Sequence, residues 1–454
     1  VAKKKTAFVC TECGADFPKW QGQCPACGAW NTLQEFVVDP ATPKSRSAER
    51  SGFSGQLSEV RQLDEIALED SPRISAGMDE LDRVLGGGLV PGSAILLGGH
   101  PGAGKSTLLL QVLCRLADRE KCFYITGEES LAQVAMRADR LKLPKEKLRL
   151  AAETDVEQIL ELARKERPRL LVVDSIQVMY LAGLQSAPGS VAQVREGAAA
   201  LTRFAKQTGT VLLLVGHVTK DGTLAGPKVL EHMIDCSLML EGSADARFRT
   251  LRGLKNRFGA VNELGVFAMT GEGLKEVKNP SAIFLNRADD IAPGSLVTVV
   301  WEGTRPLLVE LQALVDASHF GNPRRVCVGL EANRLAMLLA VLHRHGGIQV
   351  GDQDVFANVV GGVKVAETAA DLALVLAIVS SFRDRPLGRD LVVFGEIGLS
   401  GEIRPVPQGQ ERLYEAVKHG FKRAIIPKAN KPRQVPDGVE VIAVSTLAEA
   451  LEQL

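Results

Sequence analysis

The sequence predicts an α/β protein in three parts: a core built on a parallel sheet, a small cysteine-bound finger before it, and a second α/β domain after it. Three observations carry that prediction. Gly99 to Ser106 fits the G-x-x-x-x-G-K-[ST] phosphate loop, set between an apolar run and the helical run Leu108 to Leu116. Two Cys-x-x-Cys pairs, Cys10/Cys13 and Cys24/Cys27, crowd the first 27 residues. From Ile74 to about Thr270, short apolar runs alternate with helical stretches, the signature of parallel strands joined by crossover helices.

The bulk composition permits this organisation. A chain of 454 residues can hold two or three domains with cores of their own. Its 45% hydrophobic and 24% charged content is ordinary for a globular protein. Lys plus Arg and Asp plus Glu each number 54, so any nucleic-acid binding must come from local basic patches. The longest apolar run, around Leu372 to Val379, is sized for a core helix rather than a membrane span, and no membrane partner is expected. Val-Ala-Lys-Lys-Lys leads into cysteines instead of an apolar signal core, which argues for a cytoplasmic protein. Cys114, Cys122, Cys236 and Cys327 lie singly in apolar segments, so buried thiols in a reducing compartment are expected there.

Residues 1–36 form the finger. Ten residues separate its cysteine pairs, a spacing at which Cys10, Cys13, Cys24 and Cys27 can close a tetrahedral thiolate cage around Zn²⁺. The metal contributes folding energy that so short a segment lacks, and four thiolates leave no open position for catalysis. The neighbouring Phe8, Phe17, Lys19, Trp20 and Trp30 suit a nucleic acid or a protein partner, and the sequence does not choose. Residues 37–62, rich in Pro, Ser, Gly and charge, read as a tether.

Residues 63–275 are the expected nucleotide-binding core, with strands at Ala94–Leu97, Cys122–Ile125, Leu170–Val173 and Val211–Val215. Its phosphate cradle is Gly99, His100, Pro101, Gly102, Ala103, Gly104, Lys105, Ser106 and Thr107. Gly102 and Gly104 let backbone N–H groups wrap the phosphates, and the following helix adds the positive end of its dipole. Lys105 neutralises charge at the β- and γ-phosphates of ATP, and the Ser106 hydroxyl completes a Mg²⁺ shell. Asp174 ends an apolar strand about 70 residues downstream, where a carboxylate can hold the Mg²⁺ water shell near Ser106. Glu128 and Glu129 follow another strand; one can orient the attacking water, and Glu128 is favoured, although acids at a helix N-terminus are stabilising in their own right. His217, at the end of the fourth strand, is placed to sense the γ-phosphate or to be structurally bland. Arg247, Arg249, Arg252, Lys255 and Arg257 follow, with no acid between Asp245 and Glu263. Three readings compete here: a solvated basic hairpin, phosphate contacts along a nucleic-acid strand, and cations reaching a neighbouring subunit's ATP site.

A turn-rich stretch, Gly271 to Gly294, leads to the last domain, residues 285–454. It has strand-like Leu296–Trp301 and Leu307–Val315, helices at Ala332–His343 and Ala366–Ser381, and an α/β pattern through Leu454. No internal repeat is evident.

Taken together, the four-cysteine knuckle, Leu85-Gly-Gly-Gly-Leu, the phosphate loop, Gly127-Glu-Glu-Ser and Lys255-Asn-Arg-Phe-Gly259 resemble the bacterial RadA/Sms DNA repair proteins over essentially the whole chain. The Lys-Asn-Arg-Phe-Gly pentad beside a zinc knuckle is the most specific element. The resemblance implies a RecA-like P-loop ATPase core using ATP, Mg²⁺ and Zn²⁺. It also implies a hexameric ring resembling replicative helicases, and work on single-stranded and branched DNA alongside a RecA-type recombinase. By the same analogy, Lys255 and Arg257 touch the γ-phosphate across the subunit interface and couple hydrolysis to DNA movement.

Gly398-Leu-Ser-Gly-Glu-Ile-Arg-Pro-Val-Pro and Ile425-Ile-Pro-Lys-Ala-Asn430 give the last domain a resemblance to the proteolytic domain of Lon. Alignment puts Ala369 at the nucleophilic serine and Gln410 at the lysine base; a methyl cannot attack a carbonyl, and an amide cannot accept its proton. This Lon-protease-like domain is therefore expected to be proteolytically inactive, serving as scaffold, ring-former or DNA surface, with Arg305, Arg324, Arg325 and Arg334 among the contacts. Two rivals remain: an ATP-dependent Lon-like protease, disfavoured by Ala369 and Gln410, and a KaiC-like nucleotide-gated regulatory ring, disfavoured by the knuckle and the basic hairpin.

Overall fold

A computed structural model describes residues 5–10, 16–17, 19–25, 28, 30, 33–38, 72–216, 230–242, 247–281, 285, 292–318 and 323–454. His217, Cys13 and Cys27 lie outside them. The chain divides into two compact units, Val1–Val277 and Lys278–Leu454. Among the described residues no helix is long and apolar enough to cross a membrane.

At the start of the first unit, Asp16–Phe17, Lys5–Cys10 and Leu33–Val38 form an antiparallel sheet in that order. Leu33–Val38 runs two residues past the expected end of the finger at residue 36. Its small core is Cys24 and Leu33, with Phe8 and Phe17 packed against them.

The centre of the unit is a nine-stranded sheet. Its order is Gly273–Glu276, Leu264–Thr270, Phe248–Asn256, Cys236–Glu241, Ala94–Gly99, Val211–Val215, Leu170–Asp174, Cys122–Thr126, Arg149–Ala152. The six strands from Cys236–Glu241 onward are parallel, and the first three extend them antiparallel. Parallel strands covered on both faces need apolar residues at nearly every position, which is why Ala94–Gly99, Cys122–Thr126, Leu170–Asp174 and Val211–Val215 read as apolar runs, whereas the outermost strand, Arg149–Ala152, does not. Alternation shows in the packing: Ile95 and Leu97 join the core under the helices Asp79–Leu85 and Lys105–Leu116, while Ala94 and Leu96 join the core under Val156–Glu166 and Val191–Thr208. The carboxyl ends Gly99, Thr126, Asp174 and Val215 share one edge of the sheet, and Val211–Val215 separates the phosphate-loop strand from the strand bearing Asp174.

In the second unit a mixed seven-stranded sheet runs Arg325–Val328, Gln353–Val359, Arg305–Ala317, Ser295–Glu302, Leu391–Val393, Arg423–Pro427, Glu440–Val444. The helix Asp371–Phe382 is buried on nearly every side, as its all-round apolar sequence requires. It begins at Asp371 and not Ala366. The Glu367 carboxylate accepts the Trp301 N–H at 2.6 Å and pairs with Arg412, holding the preceding backbone out of the helix.

Candidate functional site

The phosphate loop spans the step from the strand ending at Gly99 to the helix starting at Lys105. One of its glycines is demanded by a backbone neighbour and another by its left-handed backbone angle. A Cβ on Gly99 would lie 2.6 Å from the Leu240 carbonyl oxygen; one on Gly104, at φ +106°, would lie 2.9 Å from Met269 Cε. Lys105 is only 5% exposed, and its ammonium folds back to donate to the Gly99 carbonyl at 2.7 Å and the His100 carbonyl at 3.1 Å. Burial lowers its pKa, and the Asp174 and Glu128 carboxylates pull the other way. The lysine thus lies in the field of two of the predicted acids. His100, Pro101 and Gly102 are exposed, Ala103 is buried, and Ser106 and Thr107 are half-buried in the first turn.

The two glutamates separate. Glu128 accepts a hydrogen bond from the buried Ser175 hydroxyl, next to Asp174. Glu129 instead pairs with Arg137, and its backbone is tied to Thr126, whose hydroxyl accepts from Glu129 N at 3.0 Å and donates to Glu129 O at 2.9 Å. Asp174 is buried and accepts the Tyr124 hydroxyl at 2.5 Å; burial, then Asp174, pushes that phenol well above its ordinary value. Tyr124 and Ser175 were not singled out in the sequence. The available signal was a tyrosine inside an otherwise apolar buried strand, where its hydroxyl must find a partner.

Lys255 and Arg257 lie elsewhere. Leu240 pairs with Gly99 and Cys236 with Ile95, while Asn256 pairs with Cys236 and Leu251 with Leu240. Both cations therefore stand at the amino ends of the parallel strands, roughly 17 Å of strand from their own phosphate loop. Lys255 Nζ donates to the carbonyls of Ile234, at 2.8 Å, and Glu231; burial and then Arg257 lower its pKa. Arg257 is half exposed and pairs at 3.2 Å with buried Asp235, which also accepts Lys206 Nζ at 3.1 Å and Ala94 N at 3.0 Å.

Arg249 departs from the expectation of a solvated or nucleic-acid-facing cation. It is 1% exposed, and its Nε donates to the Ala103 carbonyl inside the phosphate loop at 3.1 Å. Strand alternation turns Arg249, Leu251 and Gly253 inward. Two sequence motifs also meet unexpectedly. Gly86 of Leu-Gly-Gly-Gly-Leu and Gly259 of Lys-Asn-Arg-Phe-Gly touch backbone to backbone, a Cβ on Gly86 falling 2.9 Å from Gly259 Cα. Arg73 Nη2 clamps the contact through the Phe258 carbonyl at 2.7 Å.

In the finger, the Gly28 N–H donates to the Cys24 carbonyl at 2.8 Å, with Gly28 at φ +75°, closing a tight knuckle over a buried Cys24 thiol. A buried thiol at such a turn suits a zinc ligand. Cys10 ends a strand opposite Leu33. Cys114, Cys122 and Cys236 are buried as expected, and burial pushes their thiols up to about 11, about 12 and about 12, whereas Cys327 is only half-buried.

In the second unit, Ala369 is buried among Val299, Leu308, Phe394 and Leu413, while Gln410 is exposed. Arg324, Arg325 and Arg334, considered for DNA contact, are engaged within the fold. Arg324 pairs with Asp354 at 2.7 Å, Arg325 donates to the Val350 carbonyl at 2.9 Å, and Arg334 Nε donates to Asp371 at 3.0 Å.

Comparison with known proteins bears on all three parts. Residues 8–35 match a family model described as a rubredoxin metal binding domain, residues 61–223 an AAA domain, and residues 336–430 the subunit ChlI of Mg-chelatase. The chain is 67% identical over 449 residues to the DNA repair protein RadA of Salmonella typhimurium, covering 98% of both. It is 63% identical over 454 residues to that of Pseudomonas aeruginosa, covering 100% of both. Against that of Bacillus subtilis the identity is 48% over 456 residues, covering 99% of both.

Proposed function

The chain belongs to the RadA family of DNA repair proteins, and on that footing we propose a cytoplasmic, ring-forming, DNA-dependent ATPase that drives strands through branched recombination intermediates. The observation that carries this reading is the placement of Lys255 and Arg257 at the sheet edge away from their own phosphate loop. Cations that cannot reach the site in their own protomer are suited to the site of the next one, and a ring, taken as a hexamer, gives every protomer such a neighbour.

In this mechanism Lys105 leaves the Gly99 and His100 carbonyls for the β- and γ-phosphates of ATP. Ser106 and Asp174 would hold Mg²⁺, which would supply neutralisation of phosphate charge. The Tyr124 hydroxyl keeps one Asp174 oxygen oriented. Glu128, steadied by Ser175, positions the water, while Glu129 serves its pair with Arg137. Lys255 and Arg257 complete the site in trans, where groups of this kind are worth roughly 10³–10⁵ in rate. Cys10, Cys13, Cys24 and Cys27 would hold a structural zinc. The second unit acts as scaffold without peptidase activity, because the Ala369 methyl carries no nucleophile. A RecA-type recombinase is the proposed partner, with helicase or translocase activity as the output.

The test is ATP hydrolysis with and without single-stranded DNA. Lys105→Ala is expected to abolish turnover through lost phosphate binding, and Arg257→Ala to lose most of the stimulation by DNA. Turnover indifferent to DNA in the parent protein would instead favour a nucleotide-gated regulatory ring.

A further inference from the structure

We infer that Arg249 is a positioning residue that braces the phosphate loop against the strand carrying Lys255 and Arg257, so that each protomer's nucleotide site and its reach into the next protomer move together. The inference rests on the trans role proposed above and names the link between the two sites.

An arginine is seldom buried unless its donors are taken up, because desolvating the charge is costly. Arg249 Nε donates to the Ala103 carbonyl at 3.1 Å and Nη1 to the Phe248 carbonyl at 2.9 Å. Ala103 lies between Gly102 and Gly104. A trans peptide points its carbonyl and N–H in opposite directions. Fixing the Ala103 oxygen toward the strand therefore aims the Gly104 N–H the other way, into the cradle where phosphates are received. The loop leans on the same antiparallel strands a second time, since the open face of Gly104 packs on Met269 and Leu274. Gly242 makes room for the brace: a Cβ there would sit 2.6 Å from Arg249 Cδ.

From Arg249 the strand Phe248–Asn256 runs about 20 Å to Lys255. A register shift between Gly253 and Lys255 re-aims its far end. A hydrogen-bonded strand transmits displacement along its length better than a loop does, so loop occupancy and cation placement share one rigid element.

The experiment uses the full chain with oligo-dT as the DNA probe, comparing the parent with Arg249→Gln, Arg249→Lys and Gly242→Ala. Thermal unfolding checks folding. Arg249→Gln is expected to raise KM for ATP about tenfold, the equivalent of one charged hydrogen bond, and to bring the ratio of turnover with and without DNA close to one. Arg249→Lys, which keeps the charge without the guanidinium fork, falls between. Gly242→Ala displaces the arginine stem and moves both readouts in the same direction, so it decides the matter if Arg249→Gln does not fold. Parental KM and DNA ratio in Gly242→Ala, or in a folded Arg249→Gln, would overturn the inference. A raised KM with an intact DNA ratio would overturn the coupling. Failure of the trans reading itself is seen separately, as DNA stimulation persisting in Arg257→Ala.

Discussion

Two adjacent glutamates with identical chemistry end up with different partners, one a hydroxyl and the other a guanidinium. Ser175 holds Glu128 beside Lys105 and Asp174, whereas Arg137 holds Glu129. Glu128→Gln is expected to slow turnover roughly 10²–10⁴-fold, as loss of general-base catalysis does, with Glu129→Gln within a few-fold of the parent. Steady-state ATPase rates on the two variants check this, and equal losses would contradict it. The buried thiols make a second prediction at this scale. With pKa values pushed up to about 11 for Cys114 and about 12 for Cys122 and Cys236, almost no thiolate exists at neutral pH. Iodoacetamide should leave all three unmodified in the folded protein while labelling them in denaturant, read by mass spectrometry. The placement of Lys105, Ser106 and Asp174 at the carboxyl ends of the strands was legible, because the loop spacing and an apolar run ending in an acid mark it. Tyr124, Ser175 and Arg249 were not, because each acts on a partner that only folding brings near.

At the scale of elements, four of the six parallel strands announced themselves as apolar runs, whereas Cys236–Glu241, Arg149–Ala152 and the antiparallel Phe248–Asn256 did not. The cations of Phe248–Asn256 suggested a solvated hairpin, a nucleic-acid contact or a reach into a neighbouring ATP site, and only the pleat shows that Arg249 faces inward while Lys255 stands at the opposite end of the strand. Two glycine motifs far apart in sequence likewise concealed a shared cause, the close approach of Gly86 and Gly259. Gly86→Ala adds a methyl at φ +81° against backbone, a strain of about 1–3 kcal/mol. Urea unfolding should register that loss. DNA-stimulated turnover should fall further than stability explains, because the Lys-Asn-Arg-Phe-Gly segment is displaced. Unchanged turnover in Gly86→Ala would separate the glycine contact from the function of the pentad.

For the whole molecule, the three-part α/β organisation was readable in advance, since each part carries its own signature: paired knuckles, a phosphate loop between strand and helix, and a Lon-like pattern lacking its nucleophile. The family resemblance drawn from the motifs agrees with the full-length relatives. Harder to read was the use of the arginines in the second unit, where Asp354 and Asp371 engage Arg324 and Arg334 within the fold. Chelation should release zinc and unfold the finger without unfolding the nucleotide-binding sheet, a separation that zinc release assays with limited proteolysis would show. Casein incubated with the protein and ATP should remain intact; new fragments would restore the protease reading.

Active sites of the kind proposed here are shared between protomers, and mixing two crippled variants reveals such sharing. Lys105→Ala lacks its own phosphate contact but keeps its outward cation, while Arg257→Ala has the reverse defect. In a mixed assembly some sites join an intact Lys105 to a neighbour's intact Arg257, so DNA-stimulated ATP hydrolysis should reappear above the sum of the separate variants. A mixture no more active than that sum, with mixed assembly verified, would contradict the account.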